Sequence, residues 1–126
     1  LLKDNNIKNI KLPVSAPFHC SLMSKATEIM KDELNKLNFK KSENILISNV
    51  TANEILDIDE LKSLLIKQIE NRVRWRESVI NMIEKGVDQF IEIGPGKVLS
   101  GLVKRINKNI KISAINTQTD IESLKI

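Results

Sequence analysis

The chain has 126 residues, 41% of them hydrophobic and 29% charged, a balance expected of one globular domain or a part of one. Aromatics are only 3% with no tyrosine, which argues against a base-stacking nucleic-acid platform. A net charge of +4 points only weakly to an acidic partner; no apolar run is long enough to span a bilayer, and a lone cysteine makes no internal disulfide, which together fit a soluble intracellular protein.

The opening LLKDNNIKNI has neither an initiator methionine nor a signal-peptide pattern, so the chain is expected to be a piece of something larger. Asn9 to Ser15 is a short β-branched run whose prolines favour extended backbone. From Ser21 to about Leu37, Leu22, Ala26, Ile29, Met30, Leu34 and Leu37 recur at helical spacing, with Ser21 as the N-cap candidate. Asn44 to Val50 reads as a buried strand closed by a polar TANE. A second helix begins near Ile58 and carries Leu61, Leu64, Leu65 and Ile69. NRVRWRESVINMIEKG follows with Val73, Val79, Ile80 and Ile83 on one face, and Gly86 supplies a left-handed stop.

Gln89 to Ile93 is a compact strand. GPGKVLSGLVKRI then turns into a helix with Val98, Leu99, Leu102, Val103 and Ile106 expected on its buried side and Pro95 in its first turn. Ile110 to Ile115 is the last strand, and a short helix ends the chain at Asp120 to Leu124. Parallel strands need crossovers, so this βαβααβαβα order predicts an α/β fold: a mostly parallel sheet with flanking helices.

Five features could carry chemistry. His19, the only histidine, closes a proline-stiffened segment, LPVSAPFHCSLM, at the carboxyl end of a predicted strand. Imidazole takes and returns a proton near neutral pH, so a general base is one reading; an ordinary surface or packing histidine stands ahead of it on the residues alone. Cys20 is adjacent, but neighbours on extended backbone point to opposite faces, so a buried structural thiol is the better reading. One His and one Cys cannot close a zinc shell. IGPGK, between strand and helix, lacks the spacing of a phosphate loop; its glycines are expected to serve a tight turn. The basic set Lys97, Lys104, Arg105, Lys108 and Lys111 is either a solvated helix face or a docking surface for an acidic partner or ligand phosphates. Arg72, Arg74 and Arg76 around Trp75 either hold carboxylates or solvate a helix start.

Taken in order, LPVSAPFHCSLM, ILISNVTAN, LIKQIENRVRWRESV, FIEIGPGKVLSGLVKRI and SAINT resemble the C-terminal part of malonyl-CoA:acyl-carrier-protein transacylases, the acyltransferases of dissociated fatty acid synthesis. The resemblance covers nearly the whole chain. It implies an α/β-hydrolase-like large domain of which residues 1–126 are the C-terminal portion, with the nucleophile serine and most of a ferredoxin-like insert lying upstream.

The implied reaction is ping-pong transfer of malonyl from coenzyme A to a serine, then to the phosphopantetheine thiol of acyl carrier protein. It uses no cofactor, since malonyl-CoA is a substrate, and no nucleic acid or membrane. By this resemblance His19 is the general base, and a main-chain carbonyl of Gln68 orients it in place of an aspartate. Phe18 would fill the space that an α-methyl group needs, favouring malonyl. Lys97, Lys104, Arg105 and Lys108 are the candidate carrier-protein contacts. Arg72 stands where the family commonly has proline, which predicts a local change in helix entry and not lost chemistry.

The 126 residues contain no Gly-His-Ser-Leu-Gly elbow, so the chain is expected to be inactive alone and to expose apolar surface and a sheet edge. The resemblance allows a bacterial cytoplasm, a mitochondrion or a plastid. The Asn, Lys and Ile usage favours a plastid or apicoplast over a mitochondrion. The alternative is a non-catalytic α/β module that holds an acidic protein through its basic C-terminal helix.

Overall fold

The computed structural model describes residues 5–8 and 16–124; the strand expected at Asn9 to Ser15 lies outside them. A 3-10 turn, Ser21–Met23, leads directly into α1, Ser24–Lys36. Ser21 sits inside that turn instead of capping it; the flanking Cys20 and Met23 positions make no side-chain cap either. Helix α1 leans on α2 and buries none of its residues completely, leaving Leu22, Ile29, Met30 and Leu37 exposed.

The predicted strand at Asn44 to Val50 is not a strand. Only an isolated antiparallel bridge, Ile47 to Glu54, forms there. The reason is Ser48, whose buried hydroxyl accepts the amides of Val50 (3.1 Å) and Thr51 (3.3 Å) and bends the chain back on itself. Ala52 completes the reversal with a left-handed φ of 61°, and its N–H donates to the Ser48 carbonyl at 2.9 Å.

Helix α2 runs over Ile58–Lys67, with Asp57 accepting the Glu60 amide at 2.8 Å as N-cap; Ile69 falls beyond its end. Helix α3, Trp75–Glu84, starts after Val73. Its first turn is tied by Glu77, which receives Arg72 at 2.7 Å and Arg74 at 3.4 Å, so two of the three arginines do hold a carboxylate. Gly86, at φ 96°, ends it: the Gly86 amide donates to Ile83 and the Val87 amide to Met82, a Schellman close that only glycine adopts without strain.

Strands β1, Gln89–Ile93, and β2, Lys111–Ile115, pair in parallel, Gln89 opposite Lys111 through Ile93 opposite Ile115. Helix α4, Val98–Ile106, is their crossover, and α5, Gln118–Ser123, follows β2 under a capping box between Thr117 and Asp120. One face of this sheet is clad. Phe90 and Ile112 meet Trp75, Met82 and Ile83 of α3 and Ile106 of α4 around the buried Val79, Val103 and Ile110. The opposite face carries Ile91 and Ile93, the latter 79% exposed. Parallel sheets are normally covered on both faces; among the described residues this face is left open.

Two expectations about α4 fail at its first turn. Pro95 stays in the loop before the helix, and Val98 and Leu99 are exposed, because this end of α4 stands at the carboxyl edge of a sheet that has two strands among the described residues. No described helix is long and apolar enough to cross a membrane.

Candidate functional site

His19 is presented by the turn between Ala16 and the first helix. The Phe18 amide donates to the Ala16 carbonyl at 3.0 Å, and His19 takes a left-handed φ of 60°, uncommon for a residue with a side chain. The imidazole is exposed, and its Nδ1 lies 2.9 Å from the main-chain oxygen of Gln68. A carbonyl oxygen has no proton to give, so Nδ1–H is the donor. In the neutral ring this leaves the lone pair on Nε2.

Gln68 is the C-cap of α2, where the last carbonyls of a helix have no partner within the helix. Its oxygen is therefore available to the imidazole. The contact thus fixes which ring nitrogen carries the proton. The Gln68 side chain is held as well: its Oε1 accepts from Asn49 Nδ2 at 3.2 Å, and the Asn49 carbonyl accepts the Arg74 amide at 2.8 Å.

Phe18 lies on the same turn and is 60% exposed. Cys20 is half-buried and its thiol donates to the Pro17 carbonyl at 3.1 Å, a local contact on its own turn. Among the described residues no three of His, Cys, Asp and Glu gather into a metal-binding group.

The GPGK loop is filled from within. The Glu92 carboxylate accepts the amides of Leu99 (3.1 Å) and Ser100 (2.7 Å), occupying the anion-attracting start of α4. The Ser100 hydroxyl and amide, with the Leu99 amide, hold the Glu92 carboxyl below its usual range. Gly94 and Gly96 adopt φ 138° and 92°, their amides donating to the Ile115 carbonyl and to Asn116 Oδ1. These bonds make the loop a structural joint. Sequence reasoning missed Glu92, although an acidic residue in an apolar strand just before a helix start is a readable sign.

The basic residues are spread along α4 and beyond it. Lys97 precedes the helix, while Lys104 and Arg105 lie in its last turn; Lys104 also donates to the Ile110 carbonyl at 3.4 Å. Lys108 is exposed, and Lys111 approaches Asp88 at 4.0 Å.

No family model matches the chain. It is 44% identical, over 97% of its length, to the malonyl CoA-acyl carrier protein transacylase of Bacillus subtilis, and spans 39% of that protein. Among solved structures, the malonyl CoA-acyl carrier protein transacylase of Clostridium perfringens superposes with a TM-score of 0.87 at 45% identity, covering 97% of this chain and 39% of that one. A chain from a structure of a type II polyketide acyl-carrier protein in complex with its malonyl-transacylase matches with a TM-score of 0.82 at 35% identity, over 89% of this chain and 36% of that chain.

Proposed function

From its homology in sequence and fold to part of the malonyl CoA-acyl carrier protein transacylases, we propose that this chain is the base-bearing portion of such an enzyme, with residues 1–126 its C-terminal part. The chain spans about two fifths of the relatives it matches. The observation that carries the reading is the His19 Nδ1–Gln68 oxygen contact, which leaves Nε2 free to accept a proton.

In the proposed reaction Nε2 takes the proton of a serine hydroxyl that the rest of the protein supplies, and the serine oxygen attacks the thioester carbonyl of malonyl-CoA. The C–S bond breaks, coenzyme A leaves as a thiol with the proton from His19, and malonyl remains as a serine ester. The thiol of carrier-protein phosphopantetheine then gives its proton to Nε2 and attacks that ester; the ester C–O bond breaks, and the serine oxygen takes the proton back from His19. The Gln68 carbonyl stabilises the imidazolium formed in each half. Serine and histidine suffice for this chemistry, so no metal or organic cofactor is invoked. Phe18 lies beside the base as the residue that limits bulk at the α-carbon. Lys97, Lys104, Arg105 and Lys108 are the proposed contacts for the acidic carrier protein, and the relative solved in complex with an acyl-carrier protein supports such a partner. Bacterial relatives support a bacterial cytoplasm for the reaction ahead of an organelle.

The test is malonyl transfer by the full-length protein. His19→Ala is expected to lower kcat/KM at least about a thousandfold. Activity retained within tenfold overturns the assignment. The 126-residue chain by itself is expected to transfer nothing, and measurable turnover would favour a different nucleophile.

A further inference from the structure

We propose that Asn49 is a positioning residue for the base, acting through Gln68; the proposal rests on the reading of His19 given above. The relay is continuous. Asn81 on α3 donates from Nδ2 to the Ala52 carbonyl at 2.7 Å and lies 3.3 Å from Asn53 Oδ1, anchoring the reversal that Ser48 and Ala52 build. The Arg74 amide, at the start of α3, donates to the Asn49 carbonyl. Asn49 is thereby fixed from two directions, and its Nδ2 reaches Gln68 Oε1 across nineteen residues.

Gln68 is the C-cap, the position where helical backbone ends and the peptide plane is least restrained by the helix ladder. The oxygen that meets His19 belongs to that peptide plane. A side-chain bond at Gln68 therefore restricts the rotation that would carry the carbonyl off the imidazole. The broken strand at 44–50 thus has a use: a regular strand would place position 49 by its pleat alone, whereas the Ser48 reversal hands Asn49 to the end of α2.

A single histidine makes the readout direct. With 15N-labelled histidine at about pH 8.5, two-bond proton–nitrogen correlation in the 126-residue chain reports which ring nitrogen carries the proton. The wild type is expected to show mainly Nδ1–H. Asn49→Ala and Gln68→Ala are each expected to lower the Nδ1–H to Nε2–H ratio about threefold, and the double variant no further, because both remove one bond. Asn49→Asp is expected to keep the wild-type ratio, since the Gln68 amide rotates to donate to the new carboxylate. A wild-type ratio unchanged in Asn49→Ala overturns the positioning role. Should Asn49→Ala fail to fold by circular dichroism, Gln68→Ala decides in the same way. A wild type without the Nδ1–H form instead sinks the base reading itself, so the two failures are distinguishable.

Discussion

His19 and Gln68 stand forty-nine residues apart in the chain, yet the imidazole Nδ1 and the Gln68 main-chain oxygen are 2.9 Å from each other. Because the acceptor is backbone, the identity of the Gln68 side chain matters only through its bond to Asn49. In the full-length protein Gln68→Ala is expected to cost about three- to tenfold in kcat/KM, against the thousandfold or more of His19→Ala. Cys20→Ala, which removes only a thiol turned to the Pro17 carbonyl, is expected to stay within twofold of wild type. Steady-state malonyl transfer separates the three.

Phe18 offers a steric test. A pocket that rejects one extra methyl discriminates by about 10- to 200-fold. Phe18→Ala in the full-length protein is expected to raise kcat/KM for methylmalonyl-CoA relative to malonyl-CoA about tenfold. Competition between the two thioesters measures this ratio, and an unchanged ratio removes Phe18 from the pocket.

Glu92 makes stability depend on acid. Its carboxyl is depressed by the Ser100 hydroxyl and amide, then by the Leu99 amide. A depressed folded-state value means that the contribution is fully present above the unfolded pKa, near the ordinary 4.3, and is lost as pH falls through the folded one. Glu92→Gln is therefore expected to melt lower at pH 7 and to lose less stability than wild type between about pH 5 and pH 3. Thermal melts across that range, followed by circular dichroism, give the comparison. Parallel acid limbs would mean that the Glu92 charge is not what holds the start of α4.

The buried cluster and the exposed apolar side chains should respond oppositely to truncation. Val79 is fully buried, and Val79→Ala is expected to cost about 2 kcal/mol in urea unfolding followed by the fluorescence of Trp75, which packs on the same cluster. Ile93→Ser and Val98→Ser, at side chains 79% and 72% exposed, are expected to leave that value unchanged while reducing self-association in sedimentation.

The proposed docking of carrier protein on Lys104 and Arg105 has its own test. Replacing both with glutamine in the full-length protein is expected to raise KM for carrier protein at least about threefold, more at low salt, with kcat within twofold. A fall in kcat at unchanged KM would show that the last turn of α4 is not a docking surface.

The sequence read α3, β1, α4, β2 and the Gly86 stop to within a few residues, because apolar periodicity and glycine act locally. It read Asn44 to Val50 wrongly for an equally physical reason. Ile45, Leu46 and Ile47 have strand character, but the hydroxyl of Ser48 captures two amides and turns the chain, an interaction no period reveals. The first turn of α4 was misjudged because periodicity names the apolar stripe and not how much of it the sheet can cover. His19 and Gln68 came from family resemblance; on residues alone the histidine could not be told from an ordinary one. Asn49 and Glu92 went unseen, since each acts across a gap in sequence: nineteen residues to Gln68, and seven or eight to the amides of α4.

The backbone at position 19, with φ at 60°, skews the substitution chart there before any proton moves. Valine, isoleucine or threonine would force the arm to re-fold, and their inactivity would say nothing about acid–base chemistry. Asparagine tolerates this twist among residues with side chains and cannot act as a base. A dead asparagine variant with an undisturbed amide spectrum would isolate the loss of the imidazole from the loss of the bend.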